Sequence, residues 1–302
     1  MQTNVTLKQL RCFTEAYHLR SLAEAANALG ITQSAASRRL GDLEQALGVS
    51  LFERVGRRLV PEPSADLLLR YAEAAMLQLN TGLDLVSASQ GNASPTLAIG
   101  ALPTVASTLV PAAVLRLRAK APRFIVRIET GAGDQLLPRL RAGHLDVVIG
   151  RMAPVSALDG LEFEPLYADR LAFVVRAGHP LLSEPIEIAQ LATHPMILPP
   201  ANAVIRPAVE AHLMARGIGL PDKRIETTDA SVAEPLLLAS DAIWAISRGV
   251  AVPAVRAGRL AFLPLDTADT VGPIGLTTRA DDAGRTELAL LRDAMPEARG
   301  PD

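Results

Sequence analysis

Apolar residues along the amino-terminal part of the chain recur at the three-and-four spacing of amphipathic helices. Over residues 6–18 the stripe is Leu7, Leu10, Phe13 and Tyr17. Residues 21–29 predict a second helix. Ser21 stands at its N-cap with Glu24 three residues on, the reciprocal capping-box pattern, and Gly30 is placed to close it in the left-handed region. Thr32 then caps a third helix running to about Leu47, before Gly48. Ala36, Leu40, Leu43 and Leu47 make its buried stripe, and Ser34, Arg38, Gly41 and Gln45 lie opposite, flanked by Ser37.

Beyond this hairpin the pattern changes twice. Residues 51–63, LFERVGRRLVPEP, set Arg54, Arg57 and Arg58 around Gly56 between apolar pairs, which predicts a small β-wing with a basic tip. Residues 64–89 carry Leu68, Ala72, Ala75, Leu79, Leu83 and Val86 at a spacing of about 3.5 residues, the seam of a long helix. A lone helix would expose that seam, so it needs either a second copy of the chain or a later part of its own. Residues 90–95, QGNASP, read as a hinge-like linker. Strands then alternate with helices, which predicts a parallel α/β sheet. The strands are 96–102, 125–130 and 146–150, and the helices 107–121 and 135–142. A second unit follows, with strands near 171–175, 196–198, 224–227 and 243–246. Its helices lie near 206–216, 232–239 and from Val250. A strand at 271–278 and a helix at 286–294 end the pattern.

The third helix carries the first candidate chemistry. Thr32, Gln33, Ser34 and Ser37 are short or amide side chains that let a backbone approach a DNA groove, and Arg38 and Arg39 reach base edges or phosphates. Taken alone, the same pattern serves equally for an ordinary amphipathic hairpin with a solvated arginine pair. A second candidate lies in the α/β part, because ligands of open α/β sheets bind beyond the carboxyl ends of the strands. Those ends carry Pro103, Thr104, Thr130, Arg151, Ala201, Asn202 and Ser247. Hydroxyls and free amides at a helix start favour an anion such as a carboxylate, with Arg151 as counter-charge. N-capping by Thr104 and Ser107, and a surface ion pair for Arg151, are the bland alternatives.

The run S-x-x-x-A-A-x-x-L-x-x-T-Q-x-A-x-S-R-x-L-x-x-L-E-x-x-L-G-x-x-L-F-x-R, from Ser21 to Arg54, closely resembles the winged helix-turn-helix of LysR-type bacterial transcriptional regulators. The resemblance implies an N-terminal winged helix-turn-helix over residues 1–63 and a linker and dimerisation helix with hinge over 64–94. An α/β effector domain like periplasmic binding proteins would follow over 95–302. Its two subdomains would be 95–165 with 268–302, and 166–267. Promoter DNA, a small-molecule effector, RNA polymerase and a homodimer or homotetramer are the implied partners, and the loops named above would line the effector cleft. The run over 244–282 is similar to the subgroup that controls protocatechuate and related aromatic-acid degradation, or sugar-binding-protein genes. For protocatechuate regulators that implies a carboxylated ring-cleavage intermediate as effector. The chain departs from the family at Glu62, where a Thr normally caps the linker helix, at Ala65, where Gly is common, and at Gly41 and Asp42, where basic or long polar residues are frequent. Asp66 is placed to take over part of the helix-dipole role.

Composition narrows the classes. Hydrophobic residues are 49% and charged residues 21%, enough for real cores. Net charge is −2, which excludes a globally basic nucleic-acid binder. Residues 1–62 carry eight Lys and Arg against six Asp and Glu, so phosphate contact must come from placed arginines rather than bulk charge. No run has the roughly 18 apolar residues of a membrane span, and no signal peptide is evident, so the cytoplasm is expected. Cys12 is alone and reads as a buried thiol. No nucleophile elbow, phosphate loop or dinucleotide fingerprint is present, and the five histidines lack metal-helix spacing. No enzyme, metal or cofactor is therefore expected. A solute-binding protein suits the α/β half alone and leaves the winged domain unexplained.

Overall fold

The computed structural model describes residues 5–56, 58–89, 95–183, 185–221, 224–282 and 284–296. The chain divides into two compact units, Met1–Ala93 and Ser94–Asp302. No described helix is long and apolar enough to cross a membrane.

Three helices open the first unit: α1 (Leu7–Leu19), α2 (Leu22–Ala28) and α3 (Gln33–Leu47). Thr6 caps α1, and Gln9 closes the reciprocal box by accepting from the Thr6 amide. The box expected at α2 is half formed: Ser21 accepts from the Glu24 amide, while the described bonds include none returned by Glu24. Gly30 and Gly48 both sit at positive φ, where a Cβ strains the backbone, and end their helices as expected. Ala36, Leu40 and Leu43 of α3 pack on Phe13, Ala16, Ala25 and Ala26. Leu7 departs from its expected stripe and is 45% exposed. The inward face of α1 is instead Cys12, Phe13 and Ala16. Two small residues bring α1 against α3 closely enough for the Cys12 thiol to donate to the Ala36 carbonyl at 3.5 Å.

Strands β1 (Phe52–Val55) and β2 (Arg58–Pro61) pair antiparallel, with Val55 opposite Arg58 and Gly56 at φ 64° in the turn. Leu51, Phe52 and Leu59 return this wing to the helical core. Helix α4 (Pro63–Ser89) follows, with Pro63 in its first turn, where the missing N–H costs nothing. Leu68 and Ala72 of the expected seam are taken up by the same unit's core, and Leu79 is 41% exposed. The side chains of Leu83 and Val86, and the expected hinge apart from Pro95, lie outside the described residues. Asp66 sits in the first turn of α4, and its carboxylate accepts the Tyr17 hydroxyl at 2.6 Å, so it also fastens α4 to α1.

Two five-stranded sheets build the second unit. The first has the order β4 (Ile125–Thr130), β3 (Thr96–Ala101), β5 (Val147–Arg151), β12 (Gly272–Arg279), β6 (Leu161–Asp169). The second runs β11 (Leu260–Phe262), β7 (Leu171–Arg176), β10 (Ile243–Ser247), β8 (Met196–Leu198), β9 (Arg224–Glu226). Helices α6 (Leu109–Lys120) and α11 (Thr286–Ala294) cover one face of the first sheet, and α7 (Gly133–Arg141) packs on the other. The second sheet buries Trp244, Ile246 and Phe173 among residues of α8 (Arg206–Met214), α9 (Ala230–Leu238) and α10 (Arg248–Arg256).

Three sequence-based expectations change here. The helix expected over 107–121 is present as α6 (Leu109–Lys120), but it is preceded by a separate single turn, α5 (Pro103–Ala106), which the pattern did not predict. Strand β6 has no strong sequence signal, because Pro165 and a register shift opposite Ile274 and Gly275 mark it as an irregular edge strand. Because β6 runs to Asp169, the chain leaves the first sheet at Arg170 rather than near 165. It returns between Phe262 and Gly272, through a turn at Ala268–Thr270.

Candidate functional site

The first candidate site is the outer face of α3. Its buried stripe fixes which side chains face solvent. Thr32, Gln33, Ser34, Arg38, Gly41 and Gln45 are exposed, and Ser37 is half-buried beside them. Thr32 is committed twice, as N-cap to the Ala35 amide and through its hydroxyl to Ser34 at 3.0 Å. Arg39 differs from Arg38: it is half-buried on the flank nearest α1, where its charge opposes the upward shift that burial gives the Cys12 thiol. The wing is tied to α3 by the Arg54 guanidinium, which donates to Ser37 Oγ at 3.4 Å. Arg58 is exposed, and Arg57 lies outside the described residues. Ser34, Ser37, Arg38 and Arg54 thus form one polar surface built on a buried apolar stripe.

The second candidate site is a cleft in the Ser94–Asp302 unit, with about 440 Å³ of empty space that is partly open to solvent. Its walls come from the carboxyl ends of β3, β4, β5, β8, β9 and β10, the position the strand-end rule requires. Leu102, Val204, Ile205, Ile246 and Val250 make it largely apolar. Thr104, Thr228 and Ser247 supply hydroxyls. Ser247 is 0% exposed, and its Oγ has no hydrogen-bond partner. A buried hydroxyl left unpaired costs about 1–3 kcal/mol.

Of the residues singled out in sequence, Pro103, Thr104, Arg151 and Ser247 line the cleft. Thr130 and Ala201 do not; both are exposed. Asn202 is exposed as well and donates to the Asp134 carboxylate at 3.1 Å, joining the loop after β8 to α7 at the mouth. Thr104 and Ser107 make none of the expected cap bonds, because α5 begins with Pro103 and α6 begins only at Leu109. Arg151 is engaged rather than free. Its Nη1 donates to the Asp169 carbonyl at 3.2 Å and its Nη2 to the Thr270 carbonyl at 2.5 Å. Burial lowers its pKa, with Asp169 opposing. Ala132, Gly133, Val204 and Thr228 were missed, since they sit in loops or at a helix start with no periodic signal. At Gly133 the structure supplies a reason for glycine, since a Cβ there would meet Val204 Cγ2 at 3.3 Å, a contact between residues distant in the chain.

Asp169 lies behind the cleft, 3% exposed. Burial raises its pKa, against the amides of Arg170 and Gly249 and the charges of Arg151 and Arg248. Gly249 has room for no side chain, since a Cβ would come within 2.6 Å of the Thr104 carbonyl. α10 therefore starts in close contact with α5.

Known proteins resemble both units. The family model of the bacterial regulatory helix-turn-helix protein, lysR family, matches residues 7–65, and that of the LysR substrate binding domain matches residues 90–299. The HTH-type transcriptional regulator PcaQ of Agrobacterium fabrum is 40% identical over 297 residues, 98% of this chain and 96% of that protein. The regulator GbpR of Azospirillum brasilense is 30% identical over 300 residues, 97% of this chain and 88% of that one. These two relatives match the subgroups that the run over 244–282 resembles. A full-length OxyR variant from Pseudomonas aeruginosa has the same fold, with a TM-score of 0.67 at 19% identity over 98% of this chain and 100% of that chain. CbnR complexed with its target DNA gives 0.64 at 21% identity, over 96% and 98%. With the paired sheets, the winged hairpin and both family models in agreement, the chain belongs to the LysR family of transcriptional regulators and carries that family's effector-binding domain.

Proposed function

We propose that this regulator reads promoter DNA with the outer face of α3 and the wing, and that a small carboxylated molecule in the cleft adjusts that reading. On the DNA side, Gln33, Ser34, Ser37 and Arg38 face base edges and nearby phosphates. Thr32 orders the helix start, Arg39 reaches a phosphate from the flank, and Arg54, Arg57 and Arg58 hold phosphates from the wing. Two copies are needed for a two-fold operator, and the exposed part of α4 around Leu79 is the surface that pairs them, as a homodimer or homotetramer. RNA polymerase is the partner whose access the regulator changes.

The observation that carries the effector reading is the buried, unpartnered hydroxyl of Ser247 in an apolar cleft that also holds Thr104 and Arg151. Apolar walls suit a ring or short chain. Two hydroxyls suit the oxygens of a carboxylate, and Arg151 balances its charge. The effector shifts an equilibrium between two arrangements of the effector domain only by the difference in its affinity for them. The test is a thermal-shift screen of small aromatic and aliphatic carboxylic acids on the full chain, followed by Ser247→Val. A ligand that binds the folded state raises its unfolding temperature. The expected result is an acid that stabilises the wild type and loses most of that effect in Ser247→Val. Acids that act equally on both would overturn the assignment.

A further inference from the structure

The two segments joining the sheets of the effector domain are fastened to each other. Thr270 Oγ1 accepts from the Leu171 amide at 2.9 Å, and Thr267 Oγ1 donates to the Leu171 carbonyl at 2.7 Å. Both threonines are buried. Arg151 is added to this knot from the side of the cleft. Its guanidinium donates to the Asp169 carbonyl on the outgoing segment and to the Thr270 carbonyl on the returning one. Gly272 leaves it room, since a Cβ there would come within 2.5 Å of Nη2. Among the described residues lining the cleft, Arg151 is the cation. One side chain thus faces the ligand space and staples both crossovers.

We infer that Arg151 converts occupancy of the cleft by an anion into release of the crossover hinge. A carboxylate is a stronger acceptor for a guanidinium than a backbone carbonyl is. An anion close to Arg151 draws at least one Nη from Asp169 or Thr270 and loosens the joint about which the two sheets move. An uncharged ligand of the same shape fills the cleft and leaves the staple in place. Ligand charge then governs response, while shape and the hydroxyls of Ser247 and Thr104 govern binding. This inference rests on the cleft being the effector site.

The test is amide hydrogen exchange over residues 169–172 and 269–272 in the full chain, referred to the rest of the effector domain. Without ligand, Arg151→Gln is expected to exchange there about tenfold faster than wild type, and Arg151→Lys, which keeps charge but loses the fork, to fall between. Equal rates in all three proteins would overturn the inference. The ligand arm uses 3,4-dihydroxybenzoate and its uncharged isostere 3,4-dihydroxybenzamide. The acid is expected to speed crossover exchange in the wild type and the amide to leave it unchanged, with no further effect of the acid in Arg151→Gln. An acid that stabilises the protein through Ser247 yet leaves crossover exchange unmoved would defeat the hinge role and spare the cleft. If no acid of the carboxylic-acid screen stabilises the wild type, the carboxylate reading falls, and the inference falls with it.

Discussion

The side-chain amide of Asn202 donates to the carboxylate of Asp134 at 3.1 Å, tying the loop after β8 to the start of α7 across the mouth of the cleft. Both residues are exposed and neither lines the cleft. Asn202→Ala is expected to cost no more than about 1 kcal/mol of unfolding free energy, the net value of one solvated hydrogen bond. It should also leave ligand-induced stabilisation in place. Thermal unfolding with and without ligand measures both, and loss of all ligand response would return Asn202 to the ligand-binding set.

Arg38 and Arg39 are neighbours in sequence and unequal in space. Arg38 points away from the buried stripe of α3, and Arg39 lies on the flank toward α1. Arg38→Ala is expected to weaken binding to the regulator's own promoter fragment by about 1–3 kcal/mol, and Arg39→Ala by less. Fluorescence anisotropy across a salt series checks this. If Arg39 contributes only a phosphate contact, its loss lowers the salt slope by about 0.9 without changing sequence preference.

Gly249 starts α10 where a side chain has no space, since a Cβ would sit 2.6 Å from the Thr104 carbonyl. The obstacle is backbone, so relief requires α5 and α10 to move apart. Gly249→Ala is expected to destabilise the effector domain by about 1–3 kcal/mol and to shift Thr104 relative to Ser247. Chemical denaturation followed by Trp244 fluorescence reads the first effect. Unchanged stability would mean that the two helices are free to separate.

Asp169 gives a pH dependence whose sign follows from its raised pKa. A carboxyl group with a higher pKa in the folded than in the unfolded chain binds more protons when native between the two values. Its contribution to stability is present below the unfolded pKa and is lost as pH rises through the folded one. At neutral pH the ionised form therefore weighs against folding. Asp169→Asn is expected to be more stable than wild type near pH 7, with the advantage shrinking toward pH 4. Melting temperatures of both proteins across that range provide the check.

Much of the first unit was legible because its determinants are local. Capping residues, left-handed glycines and a three-and-four stripe set α2 and α3; the bonds at Thr32 and Gly48 are those the pattern anticipates, and at Ser21 half of the anticipated box forms. The strands buried in the parallel parts of the two sheets were also readable as apolar runs. Strand β6 escaped notice because an edge strand carrying Pro165 needs no alternation, and the crossover was placed too early in consequence.

By itself the sequence determined which segments form helices and strands, that the amino-terminal unit is a winged helix-turn-helix, and that hydroxyls gather at strand ends. Only the tertiary structure decided which of those residues share a cavity. Thr130 and Asn202 end the same kind of element as Thr104 and Ser247, yet they stay outside the cleft. Arg151 stands at the end of β5 with its donors already turned to two carbonyls distant in the chain. The physical reason is range. Caps and periodic stripes act over a few residues, whereas a cleft between two sheets is set by crossovers, close helix contacts and long-range hydrogen bonds that no local pattern encodes.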